Sequence, residues 1–362
     1  MLLDPGRRIV ADMTGPYADR PMAVSSDILT EEPPRVRPRP ARKPRVPPNL
    51  FGIAFGLAGL GEAWNAARAT LGVPPAVPDA IFLAAAVAWL VMFAGYAAQG
   101  PRQVLADLRH PVLAPFVSLA VIIPMILASA LATVAPAAGR ALVIVFLALT
   151  IAAGGWLTGQ WITGELDQDS AHPGYFLPTV AGGLIGASAA AQVHLHAVAE
   201  ASFGLGIVCW LLLGSTVLNR LFFRPALPTA LVPTLAIELA PPMVAGAAYF
   251  ALTGETVNAV ARALGGYAVL MALVQVRLVP VYVRLRFTPG FWAFTFSYAA
   301  AATYALLWIG REKPPGAALF SALVVALITA FIAAIGARTV LAAARGQLLP
   351  ASGQAAPTRP AS

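Results

Sequence analysis

The side chains able to do acid–base or metal chemistry are few and poorly spaced for it. His194 and His196 stand two apart, so on a helix they point to different sides, and their place at the end of an apolar stretch suits an interface. No two histidines or carboxylates share an apolar stretch at ligand spacing. The single cysteine, Cys209, permits no intramolecular disulfide and no thiolate cluster. Neither a GxSxG elbow nor a phosphate-cradling glycine loop occurs in a fitting context, and no nucleotide-binding domain is evident. The expectation is a protein that is not an enzyme and takes no cofactor and no metal.

The groups that stand out do so by interrupting apolar sequence. Pro124 in LAVIIPMIL, Pro178 in YFLPTVA and the pair Pro241–Pro242 in IELAPPMVA each remove backbone hydrogen bonds and kink a helix. Broken helices at membrane depth are tolerated where protein or a water-filled cavity satisfies the freed carbonyls. Glu238 precedes the proline pair by three and four positions and shares its face. It fits a substrate or proton-coupling site, and equally a carboxyl bonded to a carbonyl that a proline frees. Glu62 is a second carboxylate at depth, and such groups usually face a polar interior. In FWAFTFSYAAAATYALLWI, Trp292, Phe296, Ala300 and Thr303 share one helix face. Phe296 is thus a bulky ring followed by small residues along one line. That pattern fits a hydrophobic gate and fits helix-packing filler.

These residues need elements to hold them, and composition says which. The 362 residues are 59% hydrophobic and 11% charged, against roughly 25% charged in soluble domains. A hydrocarbon slab of about 30 Å takes about 20 apolar residues per helix, and ten such stretches follow one another between Leu50 and Leu341. The prolines named above fall in the third, fifth and seventh, and Phe296 in the ninth. Small-residue sets, Gly52, Gly56, Gly59 and Gly61 in the first and Gly182, Gly183 and Gly186 in the fifth, allow a lumen or close packing. The expectation is an all-α membrane protein with its odd-numbered helices inside. Residues 1–48 read as a disordered basic Pro/Arg-rich tail, 49–345 as the transmembrane domain and 346–362 as a flexible tail.

An even number of spans puts both ends on one side, and charge says which side. With the termini cytoplasmic, 19 of the 24 Lys and Arg fall inside and 5 outside, as the positive-inside rule requires. A multi-pass protein of the cell inner (plasma) membrane with both termini cytoplasmic is expected. The basic tail reads as a juxtamembrane polybasic segment, without nucleic acid as a partner. Arg277, near the inner end of the eighth stretch, either snorkels to headgroups or joins Arg284 and Arg286 in a basic cytoplasmic vestibule that attracts anions.

The quoted pieces, taken in order with FGIAFGLAGL, HPVLAPF, HPGYFLPTVA and VQVRLVP, resemble the tellurite-resistance TehA/dicarboxylate transporter family, which includes the plant slow anion channels. The resemblance runs from about Leu50 to Leu348. It implies ten helices as five hairpins with quasi-fivefold symmetry, odd helices around a central pore, and a homotrimer. It assigns the aromatic gate to Phe296 and inner-helix kinks to Pro124, Pro178 and Pro241. It implies membrane lipid and small inorganic or organic anions as partners, with an anion channel as the first reading. A proton-coupled carrier for C4-dicarboxylate, sulfite or tellurite-type oxyanions is the alternative. Ala54 stands where related members have proline, so a straighter first helix is expected.

Overall fold

A computed structural model of the chain describes residues 45–164, 166–254 and 257–348. Most of the expected N-terminal tail (1–44), most of the expected C-terminal tail (349–362) and Glu165, Glu255 and Thr256 lie outside the described residues. Among the described residues all regular structure is helical. In chain order the helices are α1 (Gly52–Leu71), α2 (Ala76–Ala97), α3 (Pro101–Arg109), α4 (Ala114–Val117), α5 (Leu119–Leu131) and α6 (Pro136–Thr163). They continue as α7 (Gly182–Gln192), α8 (His196–Phe223), α9 (Ala240–Thr253), α10 (Ala259–Tyr282), α11 (Trp292–Glu312) and α12 (Ala317–Ala344). Among the described residues nine segments are long and apolar enough to cross a membrane. The tenth expected stretch is α1, 20 residues long and less apolar because Glu62, Asn65 and Arg68 stand in its second half.

Two kinds of helix alternate along the chain. In α2, α6, α8, α10 and α12 only 17–28% of the most apolar window is buried, whereas the intervening long segments reach 56–89%. The outer helices are unbroken Ala-, Leu- and Val-rich runs of 22–28 residues. They present Leu83, Leu90, Ile144, Leu212, Leu273 and Leu327 outward, as lipid requires and water forbids.

The inner helices close a ring, with α1 packed on α5, α5 on α7, α7 on α9, α9 on α11 and α11 on α1. Outer helices fill the grooves between neighbours: α2 lies against α1 and α5, α6 against α5 and α7, and α8 against α7 and α9. At the seam α12 covers α11 and α1. The tightest seam is α1 on α11, where Gly52, Gly56 and Gly59 face Trp292, Thr295, Phe296 and Ala299. A Cβ on Gly56 would stand 2.0 Å from Thr295 Oγ1, so no other residue fits there without moving α11 away.

Each inner segment opens with a proline in its first two positions: Pro48, Pro115, Pro173, Pro233 and Pro289. Proline is cheap there, because the missing N–H has no partner in a first turn anyway. Four of the five begin as a 3₁₀ turn before becoming α-helical, and one of these four, the segment that opens at Pro173, then passes through a π turn at Leu177–Ala181. The carbonyls this irregular backbone frees find partners on outer helices. Pro124 cannot bond Ala120 O, and Trp89 Nε1 of α2 donates to that oxygen at 3.0 Å. Gln275 Nε2 of α10 donates to Leu235 O at 3.1 Å, while its Oε1 accepts from the Tyr282 and Tyr298 hydroxyls. With Ala54 in place of a proline, α1 runs unbroken from Gly52 to Leu71. Pro280 adds a proline inside an outer helix, near the end of α10.

Candidate functional site

Two cavities lie inside the ring, one above the other. The proximal cavity, about 230 Å³, sits where the inner segments begin, and residues of all five line it. Among them are Asn49, Phe55, Phe116, Val180, Thr234, Pro241, Phe296 and Ser297. The distal cavity, about 70 Å³, lies farther along the same five segments and is bordered by Gly59, Glu62, Ser129, Ser188, Met243, Ala300 and Thr303. Only two residues border both, Val244 and Phe296. Phe296 is therefore part of the wall that divides them.

The Phe296 ring does not stand alone. Phe55 of α1 stacks on it with centroids 3.5 Å apart and planes inclined by 8°. Gly59, one turn beyond Phe55, leaves the space that Phe296 occupies: a Cβ there would stand 3.0 Å from Phe296 Cδ2. Both rings are buried, so the wall between these two largely apolar cavities is aromatic here.

The electrostatics of the two cavities differ. No acidic, basic or histidine side chain lines the proximal one. What surrounds it instead are the first turns of five helical segments, whose backbone N–H groups carry the positive end of the helix dipole. The distal cavity has one ionisable side chain on its wall, Glu62. Phe55, Gly59 and Glu62 are spaced four and three apart on one stripe of α1; the sequence marks Gly59 and Glu62, and Phe55 joins them only through helical spacing.

At the proximal face the inner segments are tied together by two His-Pro motifs. His110 Nδ1 accepts from the Val112 and Leu113 amides at the head of the third segment. His172 Nδ1 accepts from Gly174 N–H, and its Nε2 lies 3.3 Å from Val112 O. Tyr175 donates to Pro111 O at 3.0 Å. The His172 imidazole must then be neutral with the proton on Nε2. Burial pushes its pKa down to about 4, the Val112 carbonyl opposing and Arg220 assisting. Beside this, the buried Asp107 carboxylate receives Arg45 and Gln103, tying the chain just ahead of α1 to the short helix α3.

The residues singled out by sequence are placed as follows. Trp292, Phe296, Ala300 and Thr303 all border one cavity or the other. Pro241 borders the proximal cavity, and Pro242 is buried beside it without bordering either. Pro124 faces the outward groove between α2, α5 and α6, and Pro178 packs its carbonyl toward Gly154 of α6. Glu238 is buried, borders neither cavity, and its Oε1 has no hydrogen-bond partner. Arg277 and Arg284 are exposed and border neither cavity. Among the described residues no three His, Cys, Asp or Glu side chains converge as metal ligands would.

Residues 45–340 match the family model described as voltage-dependent anion channel, SLAC1. The chain is 27% identical over 286 residues to the tellurite resistance protein TehA homolog of Haemophilus influenzae, covering 76% of this chain and 85% of that protein. A membrane protein whose helices form one closed inner ring, matched by this model over nearly all of its described length, belongs to the voltage-dependent anion channel family that includes SLAC1.

Proposed function

We propose that the protein is a channel for small anions, that the path runs through the two cavities, and that Phe296 with Phe55 is its gate. The observation that carries this reading is that Phe296 borders both cavities. Anions enter the proximal cavity because five helix N-termini surround it and no carboxylate lines it. Five partial charges attract without holding, which suits passage better than a fixed arginine would. A ring that rotates away from its partner joins the cavities, and the gradient does the rest.

The proximal cavity then faces the cytoplasm, because the basic residues concentrate on the side of the termini, and the membrane is the cell inner membrane. The homotrimer implied by family resemblance belongs to the same proposal, with the outer helices supplying the contact surfaces.

Current–voltage measurement on purified full-length protein in planar bilayers, with chloride, nitrate and a C4-dicarboxylate in turn, tests the reading. The expected result is anion-selective current that rises at least tenfold in Phe296→Ala. Equal, low current in both proteins for every anion would remove the ring from the gate. Accumulation against a gradient, driven by protons, would make the protein a carrier instead.

A further inference from the structure

Among the described residues Glu62 is the one ionisable side chain on the wall of either cavity, and the anion path proposed above gives it no task. It stands on α1 two turns beyond Phe55 and one turn beyond Gly59, so it meets whatever has passed the stacked rings. Among the described residues its carboxyl has no hydrogen-bond or ion-pair partner. Across the distal cavity, the groups facing it are Ser129 of α5, Ser188 and Gln192 of α7, and Thr303 of α11, while α9 presents Met243, Val244 and Ala247. None of these titrates. The Thr303 hydroxyl is buried and has no partner either.

Charged groups on the elements packed around Glu62 point elsewhere. On α1 itself, Arg68 is exposed and bonds Asn65. Asp79 of α2 lines the outward groove, and the α2 residue nearest this turn is Phe82, against Gly61. Arg311 of α11 lies over the Phe250 ring and bonds Leu307 O, with Glu312 exposed next to it at the helix end. On α12 the polar contact to α1 is Ser321 with Thr70, and its first charged residue is Arg338, toward the other end. Beyond α7, His194 and His196 are exposed. The charge in the distal cavity is therefore that of one carboxyl group.

We propose that Glu62 is a protonation-controlled valve: anions cross the distal cavity when its carboxyl is neutral and are turned back when it is ionised. The inference rests on the anion path proposed above. A cavity of about 70 Å³ cannot keep an anion far from its wall, and two like charges a few ångströms apart in a poorly solvated site repel strongly. The neutral carboxyl presents an O–H that can donate to the passing anion, and Thr303 presents a second. Proton and anion need not move together, so the valve changes conductance without coupling transport to a proton gradient.

The test is chloride and nitrate flux from proteoliposomes of the full-length protein, at clamped voltage, with pH varied equally on both sides. Wild-type flux is expected to rise at least tenfold as pH falls through the titration of one group. Glu62→Gln should carry the low-pH flux at every pH, and Glu62→Asp should keep the pH dependence with a moved midpoint, which preserves the test if the amide variant fails to fold. Anion flux with the same pH profile in Glu62→Gln as in wild type would overturn the valve and leave the anion path standing. Absence of anion flux from all variants, Phe296→Ala included, would overturn both. Net anion uptake driven by a pH gradient alone would also overturn the valve, since it requires coupling.

Discussion

Phe55 and Phe296 come from the first and last inner helices and stack face to face, 3.5 Å between centroids, where the ring of five closes. An aromatic plug made of two rings on two helices responds differently from one made of a single side chain. Removing Phe296 leaves Phe55 bordering the proximal cavity, and removing Phe55 leaves Phe296 in the dividing wall. Each alanine variant is expected to raise anion flux, Phe296→Ala more than Phe55→Ala, and the double variant to exceed the product of the two. Single-channel conductance of the four proteins checks this. The cost in stability should fall below the roughly 3–5 kcal/mol of a phenylalanine deleted from a closed core, because both rings already border open space.

The glycine stripe of α1 gives a second prediction. Gly56→Ala places a methyl group 2.0 Å from Thr295 Oγ1 and 2.6 Å from Thr295 Cβ. Overpacking of this kind costs about 1–3 kcal/mol, and here it also spreads the helices that carry the two rings. Thermal melts in detergent should show a lower Tm for Gly56→Ala. Adding Thr295→Ala should recover little, since the Cβ contact remains, whereas adding Thr295→Gly should recover more.

How far the sequence discloses this architecture differs by feature. The apolar runs and their breakers disclose the outer helices, because lipid demands a long uninterrupted stretch and nothing else in the chain supplies one. Trp292, Phe296, Ala300 and Thr303 are legible as a face because α11 is regular from Trp292 onward. The prolines mislead about direction: a kink shows that backbone bonds are lost, not which side they face. Pro124 faces α2, where Trp89 compensates it, while Pro241 faces the cavity. Glu238 does not share the cavity face of Pro241 that its spacing suggests: the 3₁₀ segment Val232–Leu239 gives way to α-helix between them, and Pro241 and Ile237 line the proximal cavity while Glu238 lines neither. Phe55 and Glu62 were in plain view at helical spacing, yet only the opposing α11 makes a stripe of α1 into a wall.

Asp107 yields a third prediction. Its carboxylate is buried, takes Arg45 and Gln103 through Oδ1, and leaves Oδ2 without a partner. Arg45→Ala leaves that charge with one neutral donor, at a cost of about 1–2 kcal/mol, less than a fully buried pair would lose because the arginine is 38% exposed. Asp107→Asn should be milder, since the amide oxygen still accepts from Gln103. Limited proteolysis reads the difference: the peptide bonds next to residue 45 should be cut faster in Arg45→Ala than in wild type, with Asp107→Asn between them.

The fourth prediction is a pH dependence with a definite sign. Folding lowers the His172 pKa from the usual 6.5 to about 4, so the unfolded chain binds the extra proton and the folded one does not. Stability from this group is complete above pH 6.5 and is lost as pH falls toward 4, by up to about 3 kcal/mol. The physical event is the arrival of a proton on Nδ1, which ends acceptance from Gly174 N–H and puts a charge beside Arg220 in a buried site. Tm in detergent should therefore drop between pH 6.5 and 4.5. In His172→Asn, whose side-chain oxygen can still accept from Gly174 but cannot titrate, the drop should shrink, and the starting Tm should be lower for loss of the bond to Val112 O. An undiminished pH slope in that variant would show that other groups set the acid sensitivity of this face.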